Sequence, residues 1–385
     1  MLRLNGFARS KGFRVQLDLP MKYRTMAVAG SLLFLGLAIW LIIHFTDEGS
    51  LASSDSKLEP KNRLEITKKS KRIRPESNPY KHSISDVTRR TSWLSGAGKI
   101  PELSNEQLEN YLKQNKRSAL ALLVASRVRK DLEFLREAVR NEPNNKVVQL
   151  ELAIRSTVRE EKLAGLERFR QMDPNNSYGD YLAALIGYQQ GRKENALGDL
   201  EKAQAHILFG FPVAEVRQAL EDAFISAGYT PVEAKAAALF GQPSLYHTPL
   251  NQLAGYLANS AVTVQASGDV ELANQFVKIG LNLSSKAVES SSLIITDLIA
   301  NTIETRILKV MPVNSNLPNS SISVAQRLAE LEINRQEFSS LVSDMPDLQM
   351  KMSESGFLKY LKRIEGDGEV AVLRELRYKN SIDSK

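Results

Sequence analysis

The stretch Met26–Phe45, MAVAGSLLFLGLAIWLIIHF, runs for twenty residues without one fully charged side chain. As an α-helix it would rise roughly 30 Å, the thickness of a bilayer's hydrocarbon core. An uncompensated Lys or Asp would be costly at that depth, so the absence of charge is informative. Trp40 and His44 fall toward the far end, where an amphipathic ring suits the interface. The run predicts one transmembrane helix over 26–45, dividing the chain into a short basic head, 1–25, and a long polar body.

Orientation follows from the flanks. Arg3, Arg9, Lys11, Arg14, Lys22 and Arg24 precede the run against the single acid Asp18, and such a flank tends to stay cytoplasmic. Beyond the run Asp47 and Glu48 come first, with Lys57, Lys61 and Arg63 following. The expectation is an N-terminus in the cytoplasm and a body that is extracytoplasmic, periplasmic or extracellular; counting in the bases from Lys68 to Arg74 removes the asymmetry. A cleaved secretory signal is the competing reading, since Ser50-Leu51-Ala52 has small residues at a suitable spacing. The apolar run exceeds the usual signal core of about 7–15 residues, and Asp47 and Glu48 separate it from that site, which favours an uncleaved signal anchor.

Charge is unevenly placed. Residues 1–100 hold 18 Lys and Arg against 8 Asp and Glu, a net of +10, which leaves −3 of the total +7 for residues 101–385. The basic character belongs to the head and to 46–102, a stretch rich in Ser, Lys, Arg and Pro with no sustained periodicity that reads as a disordered linker. Its cluster Lys68–Arg74 could rest on anionic lipid or another polyanion, but few aromatics are interleaved for base stacking, and no specific nucleic acid is expected. The chain has no cysteine, which excludes disulfides, thiolate metal sites and a cysteine nucleophile.

The body reads as all-α. Ser104 and Gln107 stand at capping-box spacing between Leu103 and Leu108, so a helix should begin there. Thereafter apolar residues recur every three or four positions, as in Leu132, Leu135 and Val139, or Tyr178, Tyr181, Leu182, Leu185 and Ile186. Pro212 and Thr230-Pro231-Val232-Glu233 mark further helix starts, and Phe209-Gly210-Phe211 puts aromatics beside a turn, either as plugs between helices or as the lining of a peptide groove. Helices are expected to continue through 103–310, followed over 311–385 by a C-terminal helical cap and polar tail, with an interruption at Met345-Pro346.

Internal repetition sharpens the picture. Glu142-Pro143-Asn144-Asn145 returns as Asp173-Pro174-Asn175-Asn176, thirty-one residues later, each between two amphipathic segments. Gly191 is followed by Ala196, Leu200 and Ala203, and Gly268 at the same offsets by Ala273, Val277 and Gly280. A glycine turn followed by small, apolar and small residues on one face lets the two helices of a hairpin pack closely. These residues resemble the tetratricopeptide repeat, with Ala184 as the small residue of the first helix. Asp180 stands where that family has a large aromatic, Ala183 replaces a large aliphatic, and the spacing is shorter than the family's usual one.

The resemblance implies a TPR-like α-solenoid whose first helices line a concave face that holds a protein or peptide partner. Candidate contacts on the best-matched unit are Asn175, Asn176, Tyr178, Asp180, Tyr181, Gln189 and Gln190. The expected function is a membrane-anchored scaffold or adaptor, an assembly factor or accessory subunit, working near the bilayer. A soluble secreted binding protein and a self-associating spacer are the alternatives, and an enzyme with a site assembled from distant helices is a third. Catalytic signatures are missing: His44, His82, His206 and His247 are scattered, and the chain contains no HExxH, no phosphate-binding GxxxxGK[ST] and no GxSxG elbow. Neither a cofactor nor a metal site is expected.

Overall fold

The Ser104 hydroxyl accepts from the Gln107 N–H while the Gln107 side chain accepts from the Ser104 N–H, at 3.2 and 2.9 Å, and this box starts the first helix of the computed structural model. The structure describes residues 101–383 apart from 242–244 and 291. The basic head, the 26–45 span and most of the 46–102 linker lie outside the described residues. Among the described residues every regular element is a helix, and no helix is long and apolar enough to cross a membrane.

Four elements open the array: α1 (Asn105–Gln114), α2 (Ala119–Arg129), α3 (Leu132–Asn141) and α4 (Lys146–Arg155). Three follow, α5 (Arg159–Met172), α6 (Ser177–Gln189) and α7 (Lys193–Ala205). Helices α2 and α3, α4 and α5, and α6 and α7 form consecutive hairpins; α3 packs on α4 and α5 on α6. The twin Pro-Asn-Asn turns do the same work twice. Asn145 accepts from the N–H groups of Val147 and Val148, and Asn176 from that of Tyr178. Each asparagine also donates to the acid three residues before it, Glu142 or Asp173. Both have extended backbones, so the second asparagine of each turn is the N-cap of the next helix.

Close packing inside the hairpins uses small residues. Ala196, Leu200 and Ala203 are buried against α6, and Gly191 turns the chain with φ +71°. A methyl group added at Gly165 would sit 2.7 Å from the Gln149 carbonyl oxygen, a backbone atom that cannot swing away. Gly165→Ala is therefore expected to lower stability by about 1–3 kcal/mol through overpacking, outweighing the gain of about 1 kcal/mol that alanine brings to a helix interior. A thermal melt of the two chains followed by circular dichroism checks this; an alanine variant at least as stable as the parent would show that α4 and α5 can separate freely.

After α7 the chain does not add a fourth hairpin beyond the third. Helix α8 (Val213–Ser226) returns to α1 and α2 and pairs with α9 (Pro231–Phe240), whose start carries the Thr230–Glu233 capping box. Helix α10 (Thr248–Ala266) lies on α6 and packs with α11 (Val270–Glu289) and α12 (Ile294–Leu308). The last three are α13 (Val324–Met350), α14 (Glu354–Asp367) and α15 (Glu369–Asp383), with α13 on α12, α15 on α13 and α14, and α14 back on α9. Helix α13 runs through Pro346, where a break was expected; a proline costs its own N–H bond and crowds the carbonyl four residues back, a local penalty that the rest of a 27-residue helix outweighs.

The two larger cores among the described residues share α4, and a smaller one, Leu308, Val324 and Leu331, joins α12 to α13. Leu150 and Ala153 face a cluster shared with α5 to α7 and α10 to α12, while Val147, Val148 and Leu152 face one shared with α1 to α3, α8 and α9. Helices α2 and α6 thus have their partner helices on one side and a returning helix, α8 or α10, on the other; α6 is buried at every residue from Ser177 to Tyr188.

The start of α15 is joined to the start of α12 by reciprocal bonds. The Glu369 N–H donates to the Ser292 carbonyl, and the Glu369 carboxylate accepts from the Ile294 N–H, both at 2.9 Å. Burial, with the nearby Asp297 carboxylate, pushes Glu369 up to about 7, outweighing the Ile294 N–H and the Tyr360 hydroxyl that favour the anion. Its folded pKa lies above its unfolded one, so the unfolded chain ionises first as pH rises. Stability should then fall between about pH 4.5 and 7 and stay level above, by about 3 kcal/mol in all from this group. Glu369→Gln should flatten that slope, which urea titrations at pH 5 and pH 8 would test; an unchanged slope would place the titration elsewhere.

Candidate peptide-binding site

The segment between α7 and α8, His206 to Pro212, lies extended along the N-terminal end of α6, and a parallel bridge joins Leu208 to Asn176. Asn176 grips the Gly210 main chain at two points: its amide NH2 donates to the Gly210 carbonyl at 2.9 Å and its Oδ1 accepts from the Gly210 N–H at 3.2 Å. One residue on, the Ser177 N–H and hydroxyl both donate to the Leu208 carbonyl, at 2.9 and 2.8 Å. Alternate residues of the segment are therefore held by their backbones along one edge.

Rings fill the space beneath. Phe209 and Phe211 meet the buried Tyr178 edge-on, with centroids 5.8 and 5.2 Å away, and Phe209 meets Tyr181 at 6.2 Å. Phe211 also stacks on Tyr246 at 4.8 Å. From α11, the Lys286 ammonium reaches the Ser177 hydroxyl and the His206 carbonyl and lies 5.7 Å from the Phe209 ring centroid. Gln204 donates to the Tyr181 hydroxyl and accepts from Asn282.

Asp180, buried on α6, takes the other end of the segment through His206 Nδ1 at 2.7 Å. Its second oxygen meets Arg170 at 2.8 Å, and Arg170 also reaches Asp199 at 3.2 Å. With its charge matched by Arg170, Asp180 is a strut that holds His206 in place. Among the described residues no group of three or more His, Asp or Glu side chains could hold a metal ion.

Below the aromatic layer lies a buried ionic cluster. Glu151 of α4 pairs with Arg127 of α2, accepts from the Tyr246 hydroxyl at 2.6 Å, and meets Arg155 at 3.5 Å. Arg127 donates to the Tyr246 oxygen at 2.8 Å, and the Tyr178 hydroxyl donates to the Tyr246 carbonyl at 2.8 Å. Burial and the Glu151 charge push the Tyr246 phenol well above its ordinary pKa, so it stays a donor to the carboxylate. His247 next to it is held down at about 4 by burial and is neutral at pH 7.

Four of the seven residues chosen from the sequence converge here: Asn176, Tyr178, Asp180 and Tyr181. Asn175 is exposed beside them. Gln189 and Gln190 stand at the opposite end of α6, roughly 20 Å away along the axis, where Gln190 accepts from Arg192 and, at 3.4 Å, from Arg159. The rest of the site was not among them: His206, Phe209 and Phe211 of the segment, Lys286 of α11, and Tyr246. Two signals were available: the aromatics beside a turn in Phe209-Gly210-Phe211, and α6 itself. The sequence of α6, SYGDYLAALIGYQ, is apolar on nearly every side, the mark of a helix covered all round.

Compared with family models, with curated proteins and with solved structures, the chain matches none. The class defined by the fold is an all-α protein of helical hairpins in which one extended segment is held by the end of a buried helix.

Proposed function

We propose that this chain is a membrane-anchored scaffold of tetratricopeptide-like hairpins that binds an extended segment of a protein partner. The first three hairpins make a short α-solenoid, and residues 26–45 tether the body to the outer face of a membrane, which raises the local concentration of whatever it binds there. The observation that carries the reading is the double bond pattern of Asn176 and Ser177 to the main chain of Gly210 and Leu208. Backbone bonds to alternate residues, with seats for the side chains between them, are how a strand is recognised with little dependence on sequence.

The test uses the full chain in its own cells, with a photo-crosslinking residue at Asn175 and a tag after Lys385. Expected are membrane-fraction adducts to a partner that disappear in Asn176→Ala, and a tag that external protease removes from spheroplasts. Adducts indifferent to Asn176→Ala would overturn the site, and a protected tag would overturn the orientation.

A further inference from the structure

We propose that the site at the start of α6 takes an extended segment with aromatic residues two positions apart, and that the chain's own residues 207–211 occupy it as a displaceable internal ligand. This rests on the scaffold reading and names the ligand class of that site.

The chemistry comes from what is seated there. Position 210 is read through its main chain, by an Asn176 amide bonded to both its N–H and its carbonyl, and a Cβ there would meet open space, so the seat accepts any residue. The residues on either side must be aromatic to meet Tyr178, Tyr181 and Tyr246 edge-on or stacked. An aliphatic residue stands before them at Leu208, where only its carbonyl is read.

Displacement is built into how the segment is held. Its seats, Tyr178 and Tyr181, are fully buried, whereas Phe209 and Phe211 are half-buried, Leu208 is 59% exposed and Ile207 92% exposed. Ile207 and Phe209 make no main-chain hydrogen bond among the described residues, so the segment is bonded along one edge only. It belongs to no helix: α7 closes at Ala205 and α8 opens at Val213. A trans segment of the same pattern would remake each contact, and the internal one competes only through its effective concentration. Such competition lowers the apparent affinity of the intact chain by the fraction of time the seat is empty.

The experiment titrates purified full chain in detergent with a labelled synthetic peptide of the sequence 205–213. The parent is compared with a Phe209→Ser, Phe211→Ser double variant, which vacates the ring seats. Expected is binding to the vacated chain about tenfold or more tighter than to the parent, lost when Asn176→Ala is added and lost for a peptide with both phenylalanines replaced by alanine. A vacated chain with parental helix content and a cooperative melt that does not bind the peptide overturns the inference.

Because the vacated chain could fail to fold, a second readout keeps the parent core intact. The chain has no cysteine, so Ile207→Cys carries a fluorophore at one place. Peptide binding should shift its emission with the same midpoint as the binding curve; binding without a shift means that the segment stays put, and overturns the inference. Peptide binding intact while no partner adduct forms in cells would sink the scaffold reading alone. Partner adducts that depend on Asn176, with no peptide binding to a folded chain, would sink the ligand class alone.

Discussion

Glu151→Ala is expected to lower the stability of the body by about 3–5 kcal/mol, the cost of removing one partner from a buried ion pair. Glu151 is fully buried and its carboxylate serves three groups: Arg127, Arg155 and the Tyr246 hydroxyl. Without it the buried Arg127 and the partly buried Arg155 guanidiniums are left side by side, and their mutual repulsion adds to the lost attraction. The cluster also joins α2, α4 and the lead-in to α10, so the loss should appear as one cooperative transition moved to lower urea. Replacing both Glu151 and Arg127 by leucine should recover part of the deficit by removing the more deeply buried guanidinium, while Arg155 and the Tyr246 hydroxyl still lose their acceptor. A single-variant loss under about 1 kcal/mol in urea titrations would mean that water reaches the cluster.

Tyr178→Ala should cost about 3–5 kcal/mol, as for other buried aromatic truncations. The ring supports Phe209 and Phe211, and its hydroxyl donates to the Tyr246 carbonyl at 2.8 Å. Tyr178→Phe separates the two contributions. It keeps the ring and leaves a buried carbonyl without that donor, at a cost of about 1–3 kcal/mol. If the phenylalanine variant were as destabilised as the alanine one, the hydroxyl's bond to Tyr246 rather than the ring would carry the loss. Tyr178→Ala should also speed proteolysis within 206–212, because the seat beneath the segment is lost, and Tyr178→Phe, which keeps the ring, should not.

Much of the body could be read locally. A capping box needs only residues three apart, so Ser104–Gln107 and Thr230–Glu233 declared their helices in the sequence. The paired Pro-Asn-Asn turns and the Gly191 and Gly268 turns likewise set hairpin ends, since N-capping and a positive φ are properties of a few neighbouring residues. The buried face of α7, Ala196, Leu200 and Ala203, followed from helical period alone.

The site was legible only in halves. Asn176, Tyr178 and Tyr181 were marked by their place in a repeat unit, but the segment they hold is separated from them by the whole of α7. Arg127 and Glu151 look in sequence like ordinary helix charges, and Asp180 and His206 like unrelated polar residues. What makes them partners is the stacking of α4 beside α2 and the closing of the α6–α7 hairpin, which brings the residue after α7 back to the start of α6. Periodicity orients a side chain about its own helix axis and says nothing of which distant surface will cover it. By itself the sequence determined the helices, their caps and the hairpin turns, through interactions that span a handful of residues. Only the tertiary structure decided that the first-helix faces are covered by the chain itself, because that choice rests on burying apolar surface and matching charges across long loops of sequence.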